Sequence, residues 1–126
     1  MGRKLLVDTS AWIDHLKDKT DRVRIAAFDD DIELVTHSMV IVELLLGGIK
    51  DNSTVMDSLR ELSSLMKVTD FELTEFVKQH GISRKGIGYV DANLLASCVL
   101  ENAELLSFDR KLNEVAKMVR VRVYTS

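Results

Sequence analysis

The chain has 126 residues, 46% of them hydrophobic and 29% charged, with a formal net charge of −3; this is the make-up of one ordinary globular domain that buries roughly two thirds of its unfolded surface. No apolar run approaches the roughly 20 residues that span a bilayer, "LLV" after Arg3 and Lys4 is too short for a secretory core, and a lone cysteine, Cys98, rules out an internal disulfide or a Cys-rich zinc site. A single domain over residues 1–126 in the cytoplasm is expected, and the acidic balance excludes a bulk basic surface for nucleic acid while leaving local basic patches open.

In chain order, Lys4 to Val7 reads as a short apolar strand whose polar ending starts a helix at Ser10 or Ala11. Val23, Ala26, Ala27 and Phe28 share one face of a second helix, and "IELVTH" has the β-branched look of a second strand. Ser38 is a candidate N-cap for the apolar run Met39 to Leu46, which reads as helix because Gly47-Gly48 supplies a left-handed stop. Val55, Leu59, Leu62 and Met66 give helical spacing, followed by a weak strand at Lys67 to Thr69. "FELTEFVKQHG" is a short amphipathic helix closed by Gly81, and "GISRKGIG" is a Gly-rich basic loop. "DANLLASCVLENA" reads as a helix buried on most sides, with Cys98 as a small buried hydrophobe; "ELLSF", "DRKLNEVAKMV" and "VRVYT" follow as strand, helix and strand. Strands alternating with helices, joined by connections too long for hairpins, predict an α/β fold. Its sheet should be mostly parallel, of about four to five strands, with helices on both faces.

Such a sheet places its reactive site outside the carboxyl ends of the strands. Asp8, Asp91 and Asp109 each open a helix there, where an aspartate also serves as a simple cap. Glu43 has no such role: it stands in "SMVIVELLLGG", and a carboxylate among apolar side chains needs a partner, a proton or a metal. Four acids brought to one rim would repel one another, so the arrangement makes sense around a hard cation, Mg²⁺ or Mn²⁺. Oxygen ligands select these over zinc, and His15, His37 and His80 lack zinc-site spacing and read as surface or packing residues. Arg84 and Lys85, in the basic loop before Asp91, either hold phosphates near the metal or form a solvated loop tip. Trp12, beside Ile13 and Leu16, is core, dimer interface or a base-stacking platform.

"LLVDTSAWIDHL", "VIVELLLGG" and "IGYVDANLLASCVLENAELLSFDRKL" resemble the PIN-domain ribonucleases, specifically the toxin component of VapBC toxin–antitoxin pairs, over essentially the whole chain. The most specific part runs from Gly86 to Leu112. The resemblance implies a PIN-like, Rossmann-like sheet and a magnesium- or manganese-dependent endoribonuclease. Asp8, Glu43, Asp91 and Asp109 would be its catalytic, metal-binding acids, with Ser10 and Ser107 as supporting hydroxyls. It also implies single-strand-competent RNA as substrate, 5′-phosphate and 3′-hydroxyl products and a homodimer. A VapB-type antitoxin would be the partner, with a basic side chain entering the acidic pocket. Lys111 stands where the family usually shows a further acid, which removes a fifth carboxylate and puts full occupancy of a second metal site in question. Three other readings compete: a receiver-type signalling module, which wants a vicinal acidic pair where "VDTS" has one acid; a haloacid-dehalogenase-like phosphatase, which wants a second acid where Ser10 stands; and a catalytically silent PIN-like RNA-binding domain.

Overall fold

Leu5, Leu6 and Val7 are all fully buried in strand β1 (Arg3–Val7). Successive strand residues face opposite sides, so packed side chains cover both faces of the sheet at its centre. This computed structural model describes residues 2–125. β1 lies between β2 (Ile32–Thr36) and β4 (Glu104–Leu106), and the two-residue β3 (Ser63–Ser64) adds to β2, giving the order β3-β2-β1-β4. All pairings are parallel, with Leu6 opposite both Val35 and Leu105 and Val7 opposite Leu106. The α/β fold with a mostly parallel sheet is therefore as the alternation of elements predicts.

Seven helices connect and cover the strands: α1 (Thr9–Leu16), α2 (Arg22–Ala27), α3 (Ser38–Leu46), α4 (Thr54–Glu61), α5 (Asp70–His80), α6 (Tyr89–Glu101) and α7 (Arg110–Met118). α1 packs against α2 and α3, and α5 against α6. In α6 every residue from Ala92 to Cys98 is buried, which is why its sequence is apolar nearly all round. Burial also pushes the Cys98 thiol up to about 12, so it is an inert packing group.

Several local expectations are corrected. Helix α1 begins at Thr9, because Asp8 caps it by accepting the Ala11 amide at 3.0 Å. Ala27 and Phe28 are not part of the buried face of α2: Val23 and Ala26 are buried, whereas Phe28 is 81% exposed. The cap of α3 is His37, whose Nδ1 accepts the Met39 amide at 3.1 Å, and Ser38 is the first helical residue. The left-handed residue after α3 is Gly48, with φ of 100°, while Gly47 keeps a negative φ. Helix α4 stops at Glu61, so Leu62 and the exposed Met66 do not extend its face; Met56 and Leu59 are its buried residues. Lys67 to Thr69 is not a strand, because Thr69 is spent as the N-cap of α5 in a reciprocal capping box with Glu72. "VRVYT" forms only a single bridge, Val123 beside Leu105, and not a full fifth strand. Among the described residues no helix is long and apolar enough to cross a membrane.

Candidate active site

β1 delivers Asp8 to the carboxyl rim of the sheet, where the Asp8 amide donates to the Leu106 carbonyl at 3.0 Å and so fixes its height against β4. β4 runs out into Ser107, Phe108 and Asp109, and Asp109 caps α7 by accepting the Leu112 amide at 3.2 Å. β2 leads through His37 into α3, whose sixth residue is Glu43, and the first turn of α6 carries Asp91. These four acids, with Thr9, Ser10, Ile13 and Leu94, line one cleft of about 310 Å³. No lysine, arginine or histidine is among its lining residues.

For Asp8 and Asp109 the capping and cleft readings are not exclusive, whereas Asp91 caps nothing, because the N-cap of α6 is Gly88. Asp8 Oδ1 accepts from the Ala11 amide and from Ser10 Oγ at 2.7 Å, and Asp8 Oδ2 accepts from Ser107 Oγ at 2.5 Å. Ser107 Oγ in turn accepts the Asp109 amide at 2.9 Å, and Ser10 Oγ accepts the Phe108 amide at 3.0 Å. The two serines thus tie the end of β1 to the end of β4. Burial raises the pKa of Asp8, with Asp109 adding to it, and the Ser107, Ala11 and Ser10 donors work in the opposite direction.

Glu43 is half-buried and accepts from Thr9 Oγ1 at 2.7 Å. Thr9 is the partner that sequence spacing did not reveal, since it lies 34 residues away in the chain. Asp91 differs from the other three, because no hydrogen bond reaches its carboxylate among the described residues. Its pKa is raised to about 6, first by burial and then by the negative charges of Asp109, Asp8 and Glu43.

Among the described residues no three acid, cysteine or histidine side chains already stand in a ligating arrangement. The donor set nevertheless fits a hard divalent cation. It offers carboxylate and hydroxyl oxygens only, no cation balances the charge, and the mutual repulsion shows in Asp91. Arg84 and Lys85 do not line the cleft. Arg84 borders a neighbouring cavity, and both side chains are exposed on the loop between α5 and α6. Trp12 is buried, edge-on to His15, and does not offer a stacking face. Lys111 does not line the cleft; its stem lies over Gly86, where an added Cβ would sit 2.9 Å from Lys111 Cδ.

Fold and cleft together define an α/β protein with an acidic site at the carboxyl ends of parallel strands. The family model for the PIN domain matches residues 5–118. Ribonuclease VapC32 of Mycobacterium tuberculosis is 40% identical over 109 residues, 86% of each chain. Among solved structures, VapBC2 from Rickettsia felis bound to a DNA fragment from its promoter superposes with a TM-score of 0.66 at 15% identity, covering 96% of this chain and 97% of that one. VapBC-1 from nontypeable Haemophilus influenzae gives a TM-score of 0.66 at 15% identity over 96% of both chains. At such identities the structural likeness speaks for the fold. The chain belongs to the PIN-domain family, among the VapC ribonucleases.

Proposed function

We propose that this chain is a divalent-metal-dependent endoribonuclease acting as the toxin of a type II toxin–antitoxin pair in the cytoplasm, as one domain over residues 1–126. The observation that carries the reading is Asp91: a part-buried carboxylate facing three other acids, with neither a donor nor a cation to offset it. Asp8, Glu43, Asp91 and Asp109 would hold Mg²⁺ or Mn²⁺. When bound, such an ion supplies Lewis acidity toward phosphate oxygens and water.

The remaining work belongs to the chain's own groups. Ser10 and Ser107 fix both Asp8 oxygens, and Thr9 fixes one Glu43 oxygen, so three of the four acids are oriented before substrate arrives. Asp91 has both oxygens free of protein donors among the described residues, so both are open to an incoming cation, whose charge would offset the repulsion that, after burial, raises its pKa. Single-stranded RNA enters with its phosphodiester toward this cleft, leaving a 5′-phosphate and a 3′-hydroxyl. Arg84 and Lys85 meet the backbone on one side.

The cognate partner is a VapB-type antitoxin presenting a basic side chain to the cleft, and the working unit is a homodimer. The solved VapBC relatives and the ribonuclease name of the 40% identical protein support this reading. Purified protein should cleave RNA from a panel of tRNA, rRNA and mRNA with Mg²⁺ or Mn²⁺ and not in EDTA. Asp8→Asn and Asp91→Asn should each lose at least about 100-fold, since charge stabilisation in such sites is worth several kcal/mol. Undiminished cleavage by either variant would refute the assignment.

A further inference from the structure

Beside the acidic cleft lies a second cavity, of about 450 Å³, between α5, the loop 81–88 and the first turn of α6. This size is in the range of small-molecule sites. Most of its surface is apolar, from Leu73, Val77, Ile82, Ile87 and Ala92, and Asp70, Thr74, Lys78 and Ser83 also line it. The ring of Tyr89 borders it and is half-exposed, and the Tyr89 hydroxyl donates to Asp70 Oδ1 at 2.6 Å, which pins the ring between the two helices. Arg84 stands at the rim, held there by a left-handed backbone with φ of 63°.

Helix α6 is shared between the two sites. Tyr89 and Ala92 face this cavity, while Asp91 and Leu94 face the acids. The width of one helix, roughly 10 Å, separates them, a distance within reach of a neighbouring nucleotide on one strand. Arg84 and Lys85 take part in no ion pair among the described residues, so both remain available to phosphates.

We propose that this cavity is a base pocket, which holds one unstacked nucleobase of single-stranded RNA against Tyr89 while the adjoining phosphate passes Arg84 into the acidic cleft. The proposal rests on the ribonuclease reading and adds to it the origin of sequence preference. An apolar slot with one aromatic wall and a cation at its mouth matches a base attached to a phosphate. A duplex, whose bases are stacked and paired, has nothing to insert.

The test uses the full chain and two variants. Thr74→Trp fills the cavity from an exposed position on α5, and Tyr89→Ala removes the aromatic wall. Labelled single-stranded hexaribonucleotides, intact or with one abasic position, are titrated in EDTA by fluorescence anisotropy, and cut sites are mapped separately with Mn²⁺. Each variant, and the abasic change at one particular position, should weaken binding by about 10- to 100-fold. The base preference at one fixed distance from the cut should disappear, with KM rising more than kcat falls.

Wild-type binding that ignores abasic changes at every position, or that is absent altogether, overturns the pocket, as does unchanged RNA binding by both variants. In the last case, continued Mn²⁺-dependent cleavage leaves the ribonuclease reading intact. Variant-sensitive binding without cleavage of any RNA supports the pocket and removes the ribonuclease reading instead. A changed oligomeric state with unchanged RNA binding assigns the cavity to a second copy of the chain and also overturns the proposal.

Discussion

Asp91 carries the electrostatic cost of the cleft, and the sign of its effect on stability is fixed by its raised pKa. The folded protein binds a proton at Asp91 up to about pH 6, whereas the unfolded chain releases it near the ordinary value of 3.8. In metal-free buffer, stability should therefore fall as pH rises from about 4 through 6, and then level off. Discounted for partial exposure, the penalty at neutral pH is on the order of 1–2 kcal/mol. Asp91→Asn should remove it, raising the melting temperature in EDTA at pH 7.5 by roughly 3–8 °C. His37 works against this slope: burial lowers its pKa below 6.5, so acid destabilises the fold as pH drops below that value. Melting temperatures of Asp91→Asn across pH 4–8 should fall less with rising pH than those of the wild type, because the Asp91 contribution is gone while the falling limb of Asp8 and the rising limb of His37 remain. Ser107→Ala strips a donor from Asp8, which is only 4% exposed, and an acceptor from the Asp109 amide. The expected cost is about 1–3 kcal/mol, read in urea unfolding, together with lost activity. Thr9→Val should leave the fold intact and lower cleavage roughly 10-fold by releasing Glu43, whose position in an apolar run signalled a partner without naming it.

Secondary structure follows the sequence where side-chain pattern and cap agree, and departs from it where a single polar contact decides. Helix α6 could be read directly, because an apolar run of this length must be buried on all sides. Helix α5 could be read from its amphipathic pattern and from Gly81, which takes the left-handed φ of 61°, whereas its cap, Thr69, reads as strand in the sequence. β3 could not be read: its two serines carry no alternation, and the strand exists only because β2 offers an edge. The start of α3 was misplaced because His37, with an extended backbone, presents a nitrogen acceptor where serine is the commoner choice. The three aspartates at helix starts were visible as candidates, but only the registration of β1 with β4 decides that Asp8 and Asp109 share Ser107. The loop 81–88 is held partly by Gly86, whose φ of 87° excludes most side chains and whose open face takes the Lys111 stem. Gly86→Ala should cost about 1–2 kcal/mol in denaturant unfolding and reduce cleavage by shifting the approach to Asp91. Retention of both stability and activity would show that the loop plays no part in placing that acid.

At the scale of the whole molecule, sequence positions from residue 8 to residue 109 meet at one rim because three parallel strands and their following helices all point the same way. The core that enforces this is centred on Leu5, Leu6 and Val7, and truncating Leu6 to alanine should cost about 2–5 kcal/mol. Expressed without its antitoxin, the wild-type chain should arrest cell growth, and Asp8→Asn should not; equal arrest by both would contradict the toxin mechanism. The central physical claim is that four carboxylates gathered without a counter-charge are tolerable chiefly through a divalent cation. Its most direct measurement is the melting temperature of the purified wild type and of Asp91→Asn as Mn²⁺ is titrated into metal-free protein at pH 7.5. The wild type should rise saturably by several degrees while Asp91→Asn starts higher and barely responds. A flat wild-type titration, or equal rises in both proteins, would contradict the account.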